Sequence, residues 1–498
     1  MSEFLKIVQD ESLTYHQQMI AMARLAESLD DTLVYHPNFL QAKKEGIICD
    51  LNEGVTPYRP RYIVPDYRIL MEKGSAFLGL DKPTDLMEAC NYLLIMYQHV
   101  PSITAFPVFL GNFDELLEPF VIKEERSFAK KILKLFLLNI DRTLTDSFVH
   151  ADIGPMASVT GELLLELTQE MQLAIPNLTL KYDEKITPRS FAEKAAVCMM
   201  YTAKPSFANH AMFTKEWGED YAIASCYNGL LIQGGGYTLP RLRLYEMSKK
   251  AKDVDDFMNR VLPFYTQLIL DFMDQRIRFI VEESSFFKSN FLVKEAFVTR
   301  EKFTGMLGVV GTAECVNNLL GIKNGYGYDK QCDDLAEEVL AKIEALANAH
   351  HGLYCSATDH HYRLHAQVGI DSDGRENSPG ARIPVGQEPV ILEHIMHSGR
   401  FHKYFPTGIG DIFKLDETWI KTPGAIVDII NGAFTHQMRY FSAYNADSDV
   451  VRVTGYLVKR SELAKLDSNQ QSLNNASIFG KGARDFGAAL DRKIETLK

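Results

Sequence analysis

Two rhythms of apolar and polar positions run along this chain. In 333–352, DDLAEEVLAKIEALANAHHG sets Leu335, Val339, Leu340, Ile343 and Leu346 at helical spacing. Asp333 is placed to cap that helix and Gly352 to end it. DDFMNRVLPFYTQLILDFMDQRIRF and SFAKKILKLFLLNI carry the same period and predict helices. LYCSATDHHYRLHAQVG alternates as a strand does. Helix and strand patterns alternate over most of the length, which predicts an α/β fold around a large barrel or sheet. After Ser468 the chain turns polar and glycine-rich and reads as a surface appendage. In 450–463, VVRVTGYLVKRSEL reads as a buried strand interrupted by Gly455. A glycine there weakens the strand, because it packs nothing and loses the most backbone freedom.

Composition narrows the class. The 498 residues are 46% hydrophobic and 24% charged, as in a globular protein with a large core. A formal net charge of −12 argues against a nucleic-acid backbone or an anionic membrane as partner. MSEFLKIVQDESL has no basic start followed by an apolar stretch. No apolar run reaches the roughly 18 residues that span a bilayer. The seven cysteines are scattered without a CxxC pair, so neither a zinc ribbon nor a disulfide framework is indicated. Free thiols in a reducing cytoplasm are expected.

Candidate chemistry starts at RVTGY. This motif, close to the C-terminus and preceded by apolar residues, resembles the radical-bearing motif of glycyl radical enzymes. A Cα radical on glycine lies flat and spreads over both neighbouring amides, and glycine fits where a Cβ would obstruct. The resemblance implies a ten-stranded α/β barrel of two five-stranded half-barrels, surrounded by helices, with a C-terminal glycyl radical loop. It also implies a cysteine on a loop inside the barrel. Each βα unit takes roughly 30 residues, so a second half-barrel needs roughly 150; Cys315 lies only about 140 before Gly455, whereas Cys226 lies about 230 before it. Cys226, in YAIASCYNGLLIQGGGYTLPRLRLYEMS, is followed by a Gly-rich stretch and TLPRL. That order is similar to the thiyl-cysteine loop of anaerobic ribonucleotide reductases. FLQAKKEGIICDLNEG, GVVGTAECVNNLLG (with Cys315 structural), CSATDHHYRLHAQVG and RYFSAYNADSDVVRVTGY resemble further stretches of that family in the same order, over roughly residues 36–460.

The departures from that family are specific. Only about 40 mainly helical residues precede the first match, where the reductases carry a nucleotide-binding cone. No four-cysteine zinc module precedes Val450; Asn445, Ala446, Asp447 and Ser448 join the segments instead. Asn228 stands where glycyl radical eliminases have a glutamate, and Cys226 lacks the adjacent cysteine of pyruvate formate-lyase. The chain resembles most the YjjI-type glycyl radical enzymes. The resemblance implies residues 1–430 as barrel core with N-terminal helices and 431–498 as radical region and tail. It implies Gly455 and Cys226 as catalytic residues; Asn228 is taken as a substrate contact, and His361, Arg363 and His365, which alternate on one strand face, are expected to line the barrel as substrate contacts or proton carriers. It implies a separate radical S-adenosylmethionine activase with an iron–sulfur cluster. No cofactor or metal is expected in this chain itself. A small polar substrate and a homodimer are expected. Ribonucleotide reduction and a non-catalytic barrel relative stand as alternatives.

The other candidates are weaker. His350, His351, Cys355, His360, His361 and His365 form a histidine-rich patch, but a helix-to-strand break between them scatters their directions as metal ligands. QGGGY at 233–237 lacks the Lys-Ser/Thr ending of a phosphate loop and reads as a backbone turn. Glu314 beside Cys315 reads as a residue near a helix N-terminus.

Overall fold

A computed structural model describes residues 2–29, 31–49, 53, 57–146, 148–366 and 377–497. In chain order its strands are β1 (Ile48–Cys49), β2 (Tyr62–Val64), β3 (His150–Ile153), β4 (Asn177–Tyr182), β5 (Ser206–Asn209), β6 (Tyr221–Ala224), β7 (Asn228–Leu231), β8 (Gly234–Gly236), β9 (Arg241–Arg243), β10 (Phe303–Thr304), β11 (Met306–Val310), β12 (Arg363–Ala366), β13 (Asp411–Leu415), β14 (Tyr440–Asn445), β15 (Val450–Arg452), β16 (Leu457–Lys459) and β17 (Ile494–Glu495).

A six-stranded sheet has the order β17-β13-β14-β5-β4-β3. β3, β4 and β5 run parallel, β13 and β14 run parallel, and β14 meets β5 antiparallel. β4 is buried at every position, which a parallel strand covered on both faces requires. Helices Val159–Met171, Arg189–Thr202 and Pro423–Thr435 supply that cover, packed side by side.

A second sheet has the order β1-β9-β11-β12, with β9, β11 and β12 parallel and β1 antiparallel to β9. Backbone bonds link the two sheets. Ala366 N donates to Gly408 O at 2.9 Å, so the approach to β13 runs beside β12. Beyond β3, Leu110 N donates to His150 O at 2.7 Å and Asp152 N donates to Gly111 O at 3.0 Å, adding segment 108–112. The combined order is therefore 108–112, β3, β4, β5, β14, β13, β12, β11, β9, β1, with β17 on the same edge of β13 as β12, paired to its last residues. Within the first sheet 108–112, β3, β4 and β5 run one way and β13 and β14 the other; within the second β9, β11 and β12 run together and β1 opposes them. Among the described residues no ladder joins β1 to 108–112, so the strands form an arc and the expected barrel is not seen closed.

Several sequence expectations change. The helix spans Lys330–Ala349, and Asp329, not Asp333, caps it. QGGGY is no turn: Gly234–Gly236 is strand β8, paired with β2 and β10. A Cβ on Gly234 would overlap the Lys302 carbonyl and one on Gly235 the Tyr62 carbonyl, which accounts for the glycine run. The tail is no appendage. Helix Asn475–Asp485 buries Ala476, Ser477, Gly480 and Ala483, and Gly480 sits directly on Val458 of β16. β17 then pairs with β13 inside the large sheet. Parts of two matched stretches, 50–52 and 367–369, lie outside the described residues.

Candidate active site

Gly455 is not in mid-strand. β15 and β16 form an antiparallel hairpin, and Val453 N donates to Tyr456 O at 3.0 Å to close its tip around Thr454 and Gly455. A second hairpin, β6–β7, carries Ser225, Cys226 and Tyr227 at its tip. The two tips meet. A Cβ built on Gly455 would overlap both Cβ and Sγ of Cys226. A Cα–Cβ bond is about 1.5 Å long, so the Gly455 Cα lies within roughly 4 Å of the Cys226 sulfur. One Cα–H of Gly455 therefore points at the thiol, and only glycine fits there.

Arg452 holds the glycine tip. Its guanidinium donates to Ala203 O at 2.9 Å, to Asn177 Oδ1 at 3.1 Å and to Gly455 O at 3.4 Å, and Asn177 Nδ2 donates to Gly455 O at 3.2 Å. Arg492, from the tail, donates to Val453 O at 3.0 Å. Arg452 is fully buried without a carboxylate partner, and burial depresses its pKa.

The cysteine tip is held from the barrel wall. Ser225 sits in the left-handed region (φ 61°), a conformation that costs a non-glycine residue about 1 kcal/mol and needs outside support. Its N–H donates to Val108 O at 2.8 Å. Its carbonyl meets His150 Nδ1 at 2.8 Å. His150 Nε2 meets Thr179 Oγ1 at 2.6 Å, and Thr179 Oγ1 meets the Tyr440 hydroxyl at 2.8 Å. Burial pushes the His150 imidazole down to about 3, so it is neutral. Nδ1 must then carry the proton to bond the Ser225 carbonyl. Burial pushes the Cys226 thiol up to about 11, partly offset by Ser225, Arg452, Arg382 and Arg61. At neutral pH the sulfur holds a hydrogen and is not a thiolate.

The structure brings some predicted residues together and leaves others apart. Asn228 begins β7 two residues after Cys226, is buried, and neither its side-chain nitrogen nor its oxygen has a hydrogen-bond partner. His365 stacks on Tyr227 with ring centroids 5.7 Å apart. Its Nδ1 meets Thr407 O at 3.0 Å, and burial pushes its imidazole down to about 3, so Nε2 is a bare acceptor. Arg363 opens β12 beside Met306, and His361 precedes that strand; neither has a described contact with Cys226. Among the other histidines, His351 stacks on His360 with centroids 4.6 Å apart, and His350 Nε2 lies 2.9 Å from Asp274. Asp271, Asp274 and His350 are the one group of potential metal ligands among the described residues. Asp271 and Asp274 lie within helix Leu262–Arg278 and His350 follows helix Lys330–Ala349; Asp274 also accepts from the Tyr362 hydroxyl. Cys315 is buried in helix Thr312–Leu320, and Glu314 beside it accepts from Ser378, as expected of residues at a helix start.

Sequence reasoning missed Arg452, Asn177, Arg492, His150 and Arg382. Only Arg452 carried a local signal, as a charge inside an otherwise apolar strand. The others come from distant segments.

The comparisons agree with this geometry. The family described as glycyl radical enzyme YjjI-like matches residues 13–495. An uncharacterised protein of Haemophilus influenzae is 43% identical, covering 100% of this chain and 98% of that one. The uncharacterised protein YjjI of Escherichia coli is 39% identical, covering 89% and 86%. Among solved structures, the anaerobic ribonucleotide reductase of Thermotoga maritima with glycerol in its active site aligns with a TM-score of 0.64 at 13% identity, over 88% of this chain and 80% of that one. Hydroxyproline dehydratase of Clostridioides difficile, bound to trans-4-hydroxy-L-proline, aligns with a TM-score of 0.67 at 12% identity, over 99% and 88%. At such identities these structures show the shared fold alone. The match over nearly the whole length, with a glycine and a cysteine meeting at two hairpin tips, places this chain in the YjjI-like family of glycyl radical enzymes.

Proposed function

We propose that Gly455 stores an organic radical and that Cys226 uses it to attack a small polar substrate under anaerobic conditions. The observation that carries this reading is the contact between the Gly455 Cα–H and the Cys226 thiol. A separate S-adenosylmethionine/iron–sulfur activase removes one hydrogen atom from Gly455. The Gly455 radical takes the S–H hydrogen of Cys226, restoring glycine and leaving a thiyl. The thiyl takes a hydrogen from a substrate carbon, and the product radical recovers it from the re-formed S–H. A protonated, buried thiol suits this exchange, because the step moves a hydrogen atom and not a proton.

Asn228 and His365 are the substrate contacts beside the thiol, with His361 and Arg363 farther along the same segment. An amide with both polar atoms buried and unpartnered costs about 1–3 kcal/mol per atom, and a bound hydroxyl or carbonyl would satisfy it. Residues 1–430 supply nine of the ten members of the barrel core, and β14 is the tenth. Residues 431–498 form the radical region, with β14 as its tie to the sheet. Burial of both hairpin tips keeps water and oxygen from the radicals. A cytoplasmic setting fits the free thiols.

Anaerobic electron paramagnetic resonance tests the reading. Treatment with a competent radical S-adenosylmethionine activase should give a doublet, split by the one remaining Gly455 Cα–H. Gly455→Ala should abolish it. No radical with such an activase, or an unchanged signal in Gly455→Ala, would sink the proposal.

A further inference from the structure

A cavity of about 330 Å³ lies on the Gly455 side of the site, with Thr454 in its wall. That volume is in the range of small-molecule sites. Cys226 does not line it. Besides Thr454 its wall joins four parts of the chain: the 377–388 segment, His394, the start of β13, and the tail from Ala483 to Arg492.

The polar chemistry of this wall is incomplete. Arg382 is 5% exposed; its Nε donates to Gly410 O and lies 3.9 Å from Asp411 Oδ1 in an ion pair, and its guanidinium lies 5.1 Å from the Tyr227 ring centroid, yet among the described residues its Nη1 has no hydrogen-bond partner. The Thr454 hydroxyl, one residue from Gly455, is also buried and unpartnered. His394 Nε2 stands 3.4 Å from Asp411 Oδ1 but outside hydrogen-bond geometry. A buried donor left unmade costs free energy comparable to a lost hydrogen bond, so several on one wall call for an acceptor.

The wall's own buried carboxylates are already engaged. Asp411 Oδ2 accepts from Ser398 Oγ at 2.5 Å and lies 3.4 Å from His402 Nε2. Glu388 Oε2 accepts from Gly386 N at 2.8 Å. A second guanidinium, Arg492, stands on the tail side. Ile383 and Ile412 give the cavity apolar surface for a short carbon chain.

We infer that this cavity binds a small aliphatic carboxylate, held by Arg382 and the Thr454 hydroxyl and reached from the tail by Arg492. Cys226 is not in its wall, although Arg382 stands over Tyr227, the residue next to that cysteine. The occupant touches the residue before the radical glycine and the segment whose Arg492 holds the Val453 carbonyl. A bound carboxylate therefore ties the glycine hairpin to the tail.

The test uses the full chain without activation, so it does not depend on radical formation. Isothermal titration calorimetry at constant ionic strength should show saturable binding of succinate and none of neutral succinamide. Arg382→Gln should weaken succinate at least tenfold and Thr454→Val severalfold, while Arg382→Lys should retain most of the affinity. Bound succinate should slow amide hydrogen exchange in 450–459 and in 483–492. Absence of saturable succinate binding, equal affinity in folded Arg382→Gln, or protection confined to other segments would overturn the inference. Inorganic phosphate binding in place of succinate would overturn its assignment to a carboxylate.

Discussion

At the residue scale the site reduces to one pair of atoms. A methyl group on Gly455 would overlap Cys226, so Gly455→Ala must push one hairpin tip away from the other. Overpacking of this kind costs about 1–3 kcal/mol. We expect Gly455→Ala to melt at lower temperature as well as to lose the radical; an unchanged melting temperature would show that the tips do not meet. Cys226→Ser should keep the glycyl doublet and lose turnover, whereas Cys315→Ser should keep both. In D2O the wild-type doublet should collapse, because hydrogen returns to Gly455 from an exchangeable S–H. In Cys226→Ser it should persist. His365 gives a pH prediction. Its imidazole is neutral in the fold, with its pKa lowered from 6.5 to about 3. Below 6.5 the unfolded chain binds a proton that the folded chain refuses. Stability from this group is therefore full above 6.5 and lost as pH falls towards 3, by about 1.4 kcal/mol per unit. Thermal melts from pH 7 to pH 4.5 should fall more steeply for the wild type than for His365→Gln. Parallel curves would count against a buried neutral His365.

At the element scale, the two hairpins were only partly legible in the sequence. β-branched residues announced β15, and Gly455 was read as a flaw within that strand. The reversal after Arg452 carries no Asn-Gly or Asp-Gly signal; the tip turns because Arg452 and Asn177 hold the Gly455 carbonyl and Arg492 holds that of Val453. Those partners lie far away in the chain, where neither periodicity nor spacing reaches them. QGGGY misled for a related reason: its glycines make room for the Lys302 and Tyr62 backbones, a tertiary demand that outweighs strand propensity. Cys226 was legible through length and its TLPRL context, but not the His150–Thr179–Tyr440 series beneath it. Arg452→Ala should cost about 2–4 kcal/mol, since it removes several hydrogen bonds to buried acceptors at once. Urea unfolding measures that loss, and a cost below about 0.5 kcal/mol would refute the clamp.

At the scale of the whole molecule, the alternation of helix and strand gave the α/β class. The arc also uses segments that alternation does not mark, such as 108–112. The polar tail was misread because its buried face is made of small residues: Ala476, Ser477, Gly480 and Ala483. Such a face carries little hydrophobic contrast yet permits close packing on Val458. Removal of 487–498 should leave the sheet intact but free the Val453 carbonyl from Arg492 and strip β17 from β13. Limited proteolysis should then cut within 446–460 faster than in the full chain; equal rates would mean that the tail does not restrain the hairpin.

The pairing of β17 with β13 also sets a schedule for synthesis. Asn177, Ala203 and Cys226 leave the ribosome long before Gly455, and Arg492 leaves after it. The receiving pocket can form first, and the glycine enters a prepared seat. Its fastening comes last of all, with the final dozen or so residues. A nascent chain still attached beyond Gly455 would thus present that glycine to its surroundings in a way the finished protein does not.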